Sequence, residues 1–125
     1  MEDFRRALEK RVLLFDGSMG ALLGLMGVET GCPDLLSVDR PELIRGIHEA
    51  YVRAGADIIL TNTFGATPLK LERSGHASRS AEIAAAAVKN ARAAGAPFVA
   101  LDLGPSGRFL TPVGDVSFDR MMSSL

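Results

Sequence analysis

The chain has 125 residues, 47% hydrophobic and 23% charged, a balance that excludes a disordered or fibrous protein and suits one globular domain. A formal net charge of −1 provides no broad attraction to nucleic acid or anionic lipid. No apolar run approaches the roughly 18 residues of a bilayer-spanning helix, so neither nucleic acid nor membrane is an expected partner. The charged stretch Met1 to Arg11 carries no secretory apolar region, and the single cysteine, Cys32, rules out an internal disulfide framework. The expected compartment is the reducing cytoplasm.

Glu2 to Lys10 reads as a short amphipathic helix with Phe4, Ala7 and Leu8 on one side. Val12-Leu13-Leu14-Phe15 is a continuous apolar run stopped by Asp16-Gly17, the pattern of a strand buried on both faces in a parallel sheet. Ser18 to Met26 follows as a helical segment interrupted by glycine, and Gly27 to Asp39 as a loop. Asp39 and Glu42 have capping-box spacing, with Pro41 in the first turn. The helix they open carries Leu43, Ile44, Ile47, Tyr51 and Ala54 as one apolar stripe and stops at Gly55.

Ile58-Ile59-Leu60 is the second expected strand, ending at Thr61-Asn62-Thr63. Phe64 to Gly75 is a connection with some helix around Leu69 to Glu72, Ser80 to Ala94 is an alanine-rich helix stopped by Gly95, and Phe98 to Leu101 is the third strand. Gly104 to Gly107 is a turn-rich loop, and Val116 to Met122 begins another helix. The segments RAGADIILTN (Arg53 to Asn62) and AAGAPFVALD (Ala93 to Asp102) share a helix end, a glycine stop and an apolar strand. That repeat marks parallel β/α units, whose right-handed crossovers place every strand C-terminus on one edge. Asp16, Asn62 and Asp102 would then share the edge at which such sheets bind ligands.

The chemistry expected there is recognition of a small zwitterion. Asp16 at a strand end suits an ammonium group, and the backbone N–H groups of Gly17 and Ser18 suit a carboxylate. The competing reading makes Asp16 a cap for the following helix. Gly17, Gly20 and Gly24 match neither a P-loop nor a dinucleotide fingerprint. Asn62 and Thr63 suit orientation of a polar ligand or, alternatively, turn formation. Asp102, before Gly104-Pro105, reads more as a loop-fixing residue. Cys32, His48 and His76 match no metal-ligand spacing, so they read as an unligated thiol and surface or helix-end histidines. Three strands leave an unpaired parallel edge, so residues 1–125 read as an incomplete barrel domain rather than a small complete three-stranded domain.

Together LFDGSMGALL, GCPDLL, RPELIRGIHEAYVRAGADIILTNTFGAT and LDLGPSG resemble the start of the homocysteine S-methyltransferase domain family, nearest to the homocysteine-binding domain of its cobalamin-dependent branch. The resemblance runs from Val12 to about Met122 and implies an α/β fold, the N-terminal part (about three βα units) of a (β/α)8 TIM barrel. It implies methyl transfer to homocysteine, forming methionine, with zinc holding the thiolate and methylcobalamin as methyl donor in other domains. By resemblance Asp16 meets the substrate amino group, the Gly17 and Ser18 amides its carboxylate, and Asn62 and Thr63 line the pocket, with Asp102 at the third strand end. The family's zinc-binding cysteines lie on later strands, so the zinc ligands are expected downstream of this chain; Cys32 matches none of them, and no residue here takes a catalytic role. The implied partners are homocysteine, the remaining barrel and the cobalamin and folate domains. The alternative is a non-catalytic amino-acid-binding or assembly module, a part-barrel completed by another chain.

Overall fold

The structure, a computed structural model, describes residues 3–125. Helix α1 spans Phe4–Lys10, capped by Asp3, whose carboxylate accepts from the Arg6 N–H; the expected start at Glu2 lies outside the described residues. Then come α2 (Met19–Leu25), a 3₁₀ turn (Pro33–Leu35), α3 (Leu36–Asp39), α4 (Pro41–Arg53), β1 (Ile58–Leu60), α5 (Pro68–Leu71), α6 (Ser80–Ala93), β2 (Phe98–Ala100) and α7 (Phe118–Met122). Strands β1 and β2 pair in parallel with Ile58 opposite Phe98, so the two copies of the sequence repeat are laid side by side in register. Gly55 and Gly95 end the two repeat helices at φ 102° and 80°, the left-handed conformation that glycine adopts without a Cβ penalty. The result is an α/β fold of helices around a small parallel sheet.

Two apolar clusters hold the helices. Leu23, Leu36, Ile44 and Ile47 join α2, α3 and α4, while Ala66, Leu71 and Ile83 join α5 and α6. Full burial of a side chain such as Ile44 or Ile83 contributes about 1.5–3 kcal/mol before entropy. Among the described residues no helix is long and apolar enough to cross a membrane.

The sequence expectations need four corrections. First, the run Val12 to Phe15 meets β1 through a single parallel bridge, Phe15 to Ile58, and is not buried on both faces. Val12 is 82% exposed and Phe15 57%, because nothing among the described residues covers their outer side. Backbone bonds hold the run there, with the Leu14 carbonyl accepting from the Asp57 and Ile58 N–H groups, and the Asp57 carboxylate adds to them by accepting from the Leu14 N–H at 3.0 Å and from Arg11 at 2.6 Å. Second, Asp39 does not open α4: the supposed loop is already helical there, so Asp39 ends α3 and Arg40 takes the cap position. Third, the last strand ends at Ala100 rather than Leu101, because beyond it the Thr61 hydroxyl replaces a ladder carbonyl as partner to the Asp102 N–H. Fourth, His48 is neither at the surface nor at a helix end; it lies mid-α4 with none of its surface exposed.

Helix α1 is tied to β2 by Phe4, which packs edge-on against Phe98 with ring centroids 5.2 Å apart. An open apolar groove of ≈ 740 Å³ runs past Phe4, Phe15, Ile58 and Phe98.

Candidate functional site at the strand C-termini

A cleft of ≈ 690 Å³ opens at the C-terminal ends of the strands, within the size range of small-molecule sites. Its walls are Asp16 to Gly20, Pro33 and Asp34, Leu60 to Gly65, Lys70 and Asp102. All six residues singled out from the sequence, Asp16, Gly17, Ser18, Asn62, Thr63 and Asp102, line it.

Asp16 follows the bridge that ties Phe15 to β1. Its Oδ2 accepts from the Leu60 N–H at 3.2 Å, while Oδ1 is buried with no hydrogen-bond partner among the described residues. It does not cap α2. Ser18 does, its Oγ accepting from the Ala21 N–H at 3.1 Å. Burial raises the Asp16 pKa, and the Asp102 carboxylate adds to the rise against the lowering effect of the Leu60 N–H. A desolvated carboxylate with an unpaired oxygen gains most from a donor, above all a cationic one.

The turn after Asp16 is set by α4. The Tyr51 hydroxyl donates to the Ser18 carbonyl at 3.1 Å, and a Cβ on Gly17 would lie 2.9 Å from that hydroxyl oxygen. A side chain at position 17 would therefore have to displace the end of the Tyr51 ring.

The polar residues after β1 are committed to the framework. Asn62 Nδ2 donates to the Pro33 carbonyl at 2.8 Å and to Ser37 Oγ at 3.1 Å. The Thr63 hydroxyl donates to the Asp102 carbonyl at 2.7 Å, and the Thr61 hydroxyl accepts from the Asp102 N–H at 3.0 Å. Each hydroxyl carries one proton, so Thr61 donates to Thr63 across their 2.6 Å contact. Asn62 and Thr63 thus shape the cleft, and the Asp102 backbone, clamped by Thr61 and Thr63, closes its third side.

Two wall residues, Asp34 and Lys70, and Tyr51 packed against the Gly17 turn were given no site role from the sequence. Asp34, only 6% exposed, sits in the 3₁₀ turn and accepts from the Gly65 N–H at 2.7 Å. Burial raises its pKa, with the Asp102 charge contributing, while the Gly65 N–H and Lys70 oppose the rise. Lys70 lies 4.3 Å from the Phe64 ring centroid. Tyr51 belongs to the apolar stripe of α4 and gave no separate signal. Nothing in the local sequence reveals the Asp34 to Gly65 bond, which spans 31 residues.

These residues do not fit a zinc ion. The only thiol, Cys32, packs against the Ala66, Leu71 and Ile83 cluster, and no group of three or more His, Cys, Asp or Glu able to hold a metal exists among the described residues.

A family model described as homocysteine S-methyltransferase matches residues 13–124. Methionine synthase of Mycobacterium leprae is 39% identical over 71 residues, covering 50% of this chain and 6% of that protein. Crystal structures of the homocysteine methyltransferase MmuM from Escherichia coli superpose at 32% identity, with TM-scores of 0.68 for the metallated form and 0.71 for the oxidized form. Each covers 82% of this chain and 41% of the crystallised one, so the chain spans well under half the length of these relatives. With the cleft walls falling inside the matched residues, the chain belongs to the homocysteine S-methyltransferase family.

Proposed function

We propose that this chain forms the amino-acid-binding edge of a zinc-dependent homocysteine S-methyltransferase, as the N-terminal part of a (β/α)8 barrel. The observation that carries the reading is the unpartnered Oδ1 of Asp16 in the cleft wall, next to the Gly17-Ser18 turn. The carboxylate of Asp16 pairs with the substrate ammonium group, and the Gly17 and Ser18 amides receive the substrate carboxylate. Asn62 and Thr63 hold the walls, and Asp102 extends the negative side of the cleft. The substrate's thiol end then projects away from this edge, toward the methyl donor.

Zinc and methylcobalamin, the cofactors of this reading, are held by other parts of the complete enzyme, together with the remaining barrel and the cobalamin and folate domains. No step of thiol activation is assigned to the residues described, which offer no zinc site. Binding is the contribution of this chain, so binding is what tests it. Calorimetric titration should give measurable affinity for L-homocysteine. Affinity should fall on the order of tenfold or more for 4-mercaptobutyrate, which lacks the ammonium, and for 3-aminopropanethiol, which lacks the carboxylate. Equal binding of 4-mercaptobutyrate and homocysteine would remove Asp16 from substrate recognition.

A further inference from the structure

We propose that Asp34 is a positioning residue for this cleft, setting the Phe64–Gly65 wall through its hydrogen bond to the Gly65 N–H. The inference rests on the reading of the cleft as an amino-acid site, and it gives a role to a residue that the resemblance includes in GCPDLL without assigning it one.

Pro33 starts the 3₁₀ turn, and the turn is tied to the end of β1 by Asn62 Nδ2 on the Pro33 carbonyl. A second tie runs through Ser37, whose carbonyl accepts from Asn90 Nδ2 of α6 at 2.9 Å. Asp34 is therefore delivered to the cleft on a backbone fixed by two other elements. From there its Oδ1 reaches the Gly65 N–H at 2.7 Å, the length of a strong charge-assisted bond. Its other oxygen packs so closely that a Cβ on Gly65 would lie 2.5 Å from Oδ2 and 3.2 Å from Cγ. Position 65 is glycine because the carboxylate occupies the space a side chain would need.

Phe64, next to Gly65, is held from the far side as well. A Cβ on Gly104 would lie 2.2 Å from the Phe64 carbonyl oxygen, so the loop after β2 presses directly on this residue. Lys70 lies over the Phe64 ring and its charge also offsets that of Asp34. Asp34 thus braces the backbone of one cleft wall, and the Lys70 charge offsets its own.

The test uses the full chain and the variants Asp34→Asn, Asp34→Ala, Gly65→Ala and Asp34→Ala/Gly65→Ala. In ¹⁵N-resolved spectra the Gly65 amide proton should follow a single titration that disappears in Asp34→Asn. L-Homocysteine affinity should fall on the order of tenfold or more in Asp34→Ala and recover to within about threefold in Asp34→Asn, which keeps the acceptor. A residue acting through its charge on the ligand would instead make asparagine as poor as alanine, and that result would overturn the proposal. Gly65→Ala should destabilise the protein much less when Asp34 is already alanine, and strictly additive losses would likewise refute the brace. Should the unaltered chain fail to bind L-homocysteine, the functional reading falls while the amide titration and the stability cycle still decide the role of Asp34.

Discussion

His48 lies in α4 with no exposed surface, and neither ring nitrogen has a hydrogen-bond partner among the described residues. Burial pushes its pKa from 6.5 down to about 4. In the unfolded chain the imidazole regains its ordinary value, so between about 6.5 and about 4 the unfolded state binds the extra proton. Stability therefore falls as pH drops through that window. At about 1.36 kcal/mol per pKa unit the whole interval corresponds to a loss of about 3 kcal/mol, a large share of a small domain's stability. Asp16 and Asp34 act in the opposite sense, because burial raises their pKa values. The folded state holds their protons more tightly, and the stability this contributes at low pH is lost as pH rises through their folded values. The assay is therefore a difference: urea unfolding by circular dichroism at a series of pH values, for the protein and for His48→Leu. Leucine removes the titration together with two unpaired polar atoms, so the variant should be at least as stable near neutral pH. The gap between the two curves should widen in favour of leucine as pH falls. A gap that stays constant from neutral pH to about 4 would show that the imidazole is hydrated or hydrogen-bonded in solution, and would refute the argument.

Two further outcomes concern the cleft. Asp16→Asn should leave stability nearly unchanged, since an asparagine oxygen can still accept from the Leu60 N–H, yet weaken homocysteine binding at least about tenfold; unaltered affinity would count against the Asp16 assignment. Gly17→Ala should destabilise by about 1–3 kcal/mol by pushing the Tyr51 hydroxyl off the Ser18 carbonyl, and Tyr51→Phe should relieve part of that loss. Independent, additive effects of those two changes in urea unfolding would show that the close approach at Gly17 is not a constraint.

Helices α4 and α6 and strands β1 and β2 were legible because each is announced locally: an apolar run at the right period and a glycine in the left-handed region that ends each helix. The cleft was legible for the related reason that parallel strands place their ends together, which gathers Asp16, Asn62 and Asp102 from distant positions. Burial was less legible. Val12 to Phe15 has the composition of a buried strand, but burial belongs to whatever covers a surface and is not encoded in the run itself. His48 follows Ile47 and stands four residues after Ile44, so its place on the buried stripe was visible and its residue type obscured it. Asp34 illustrates the deepest limit. Its turn could be read as a proline followed by an acidic residue, but the bond its carboxylate makes is to a glycine 31 positions away.

The groove beside Phe4, Phe15 and Phe98 has a thermodynamic consequence of its own. Aromatic and aliphatic surface left in contact with water contributes heat capacity, about 0.45 cal/K/mol for each Å². Docking any apolar surface onto that face would therefore carry a negative heat-capacity change, so the enthalpy of association would become more favourable on warming. Cooling would weaken such a contact even as it left the charge-assisted bonds of the cleft largely intact. Groove and cleft would consequently respond to temperature differently, one governed by water ordering and the other by fixed charges and dipoles.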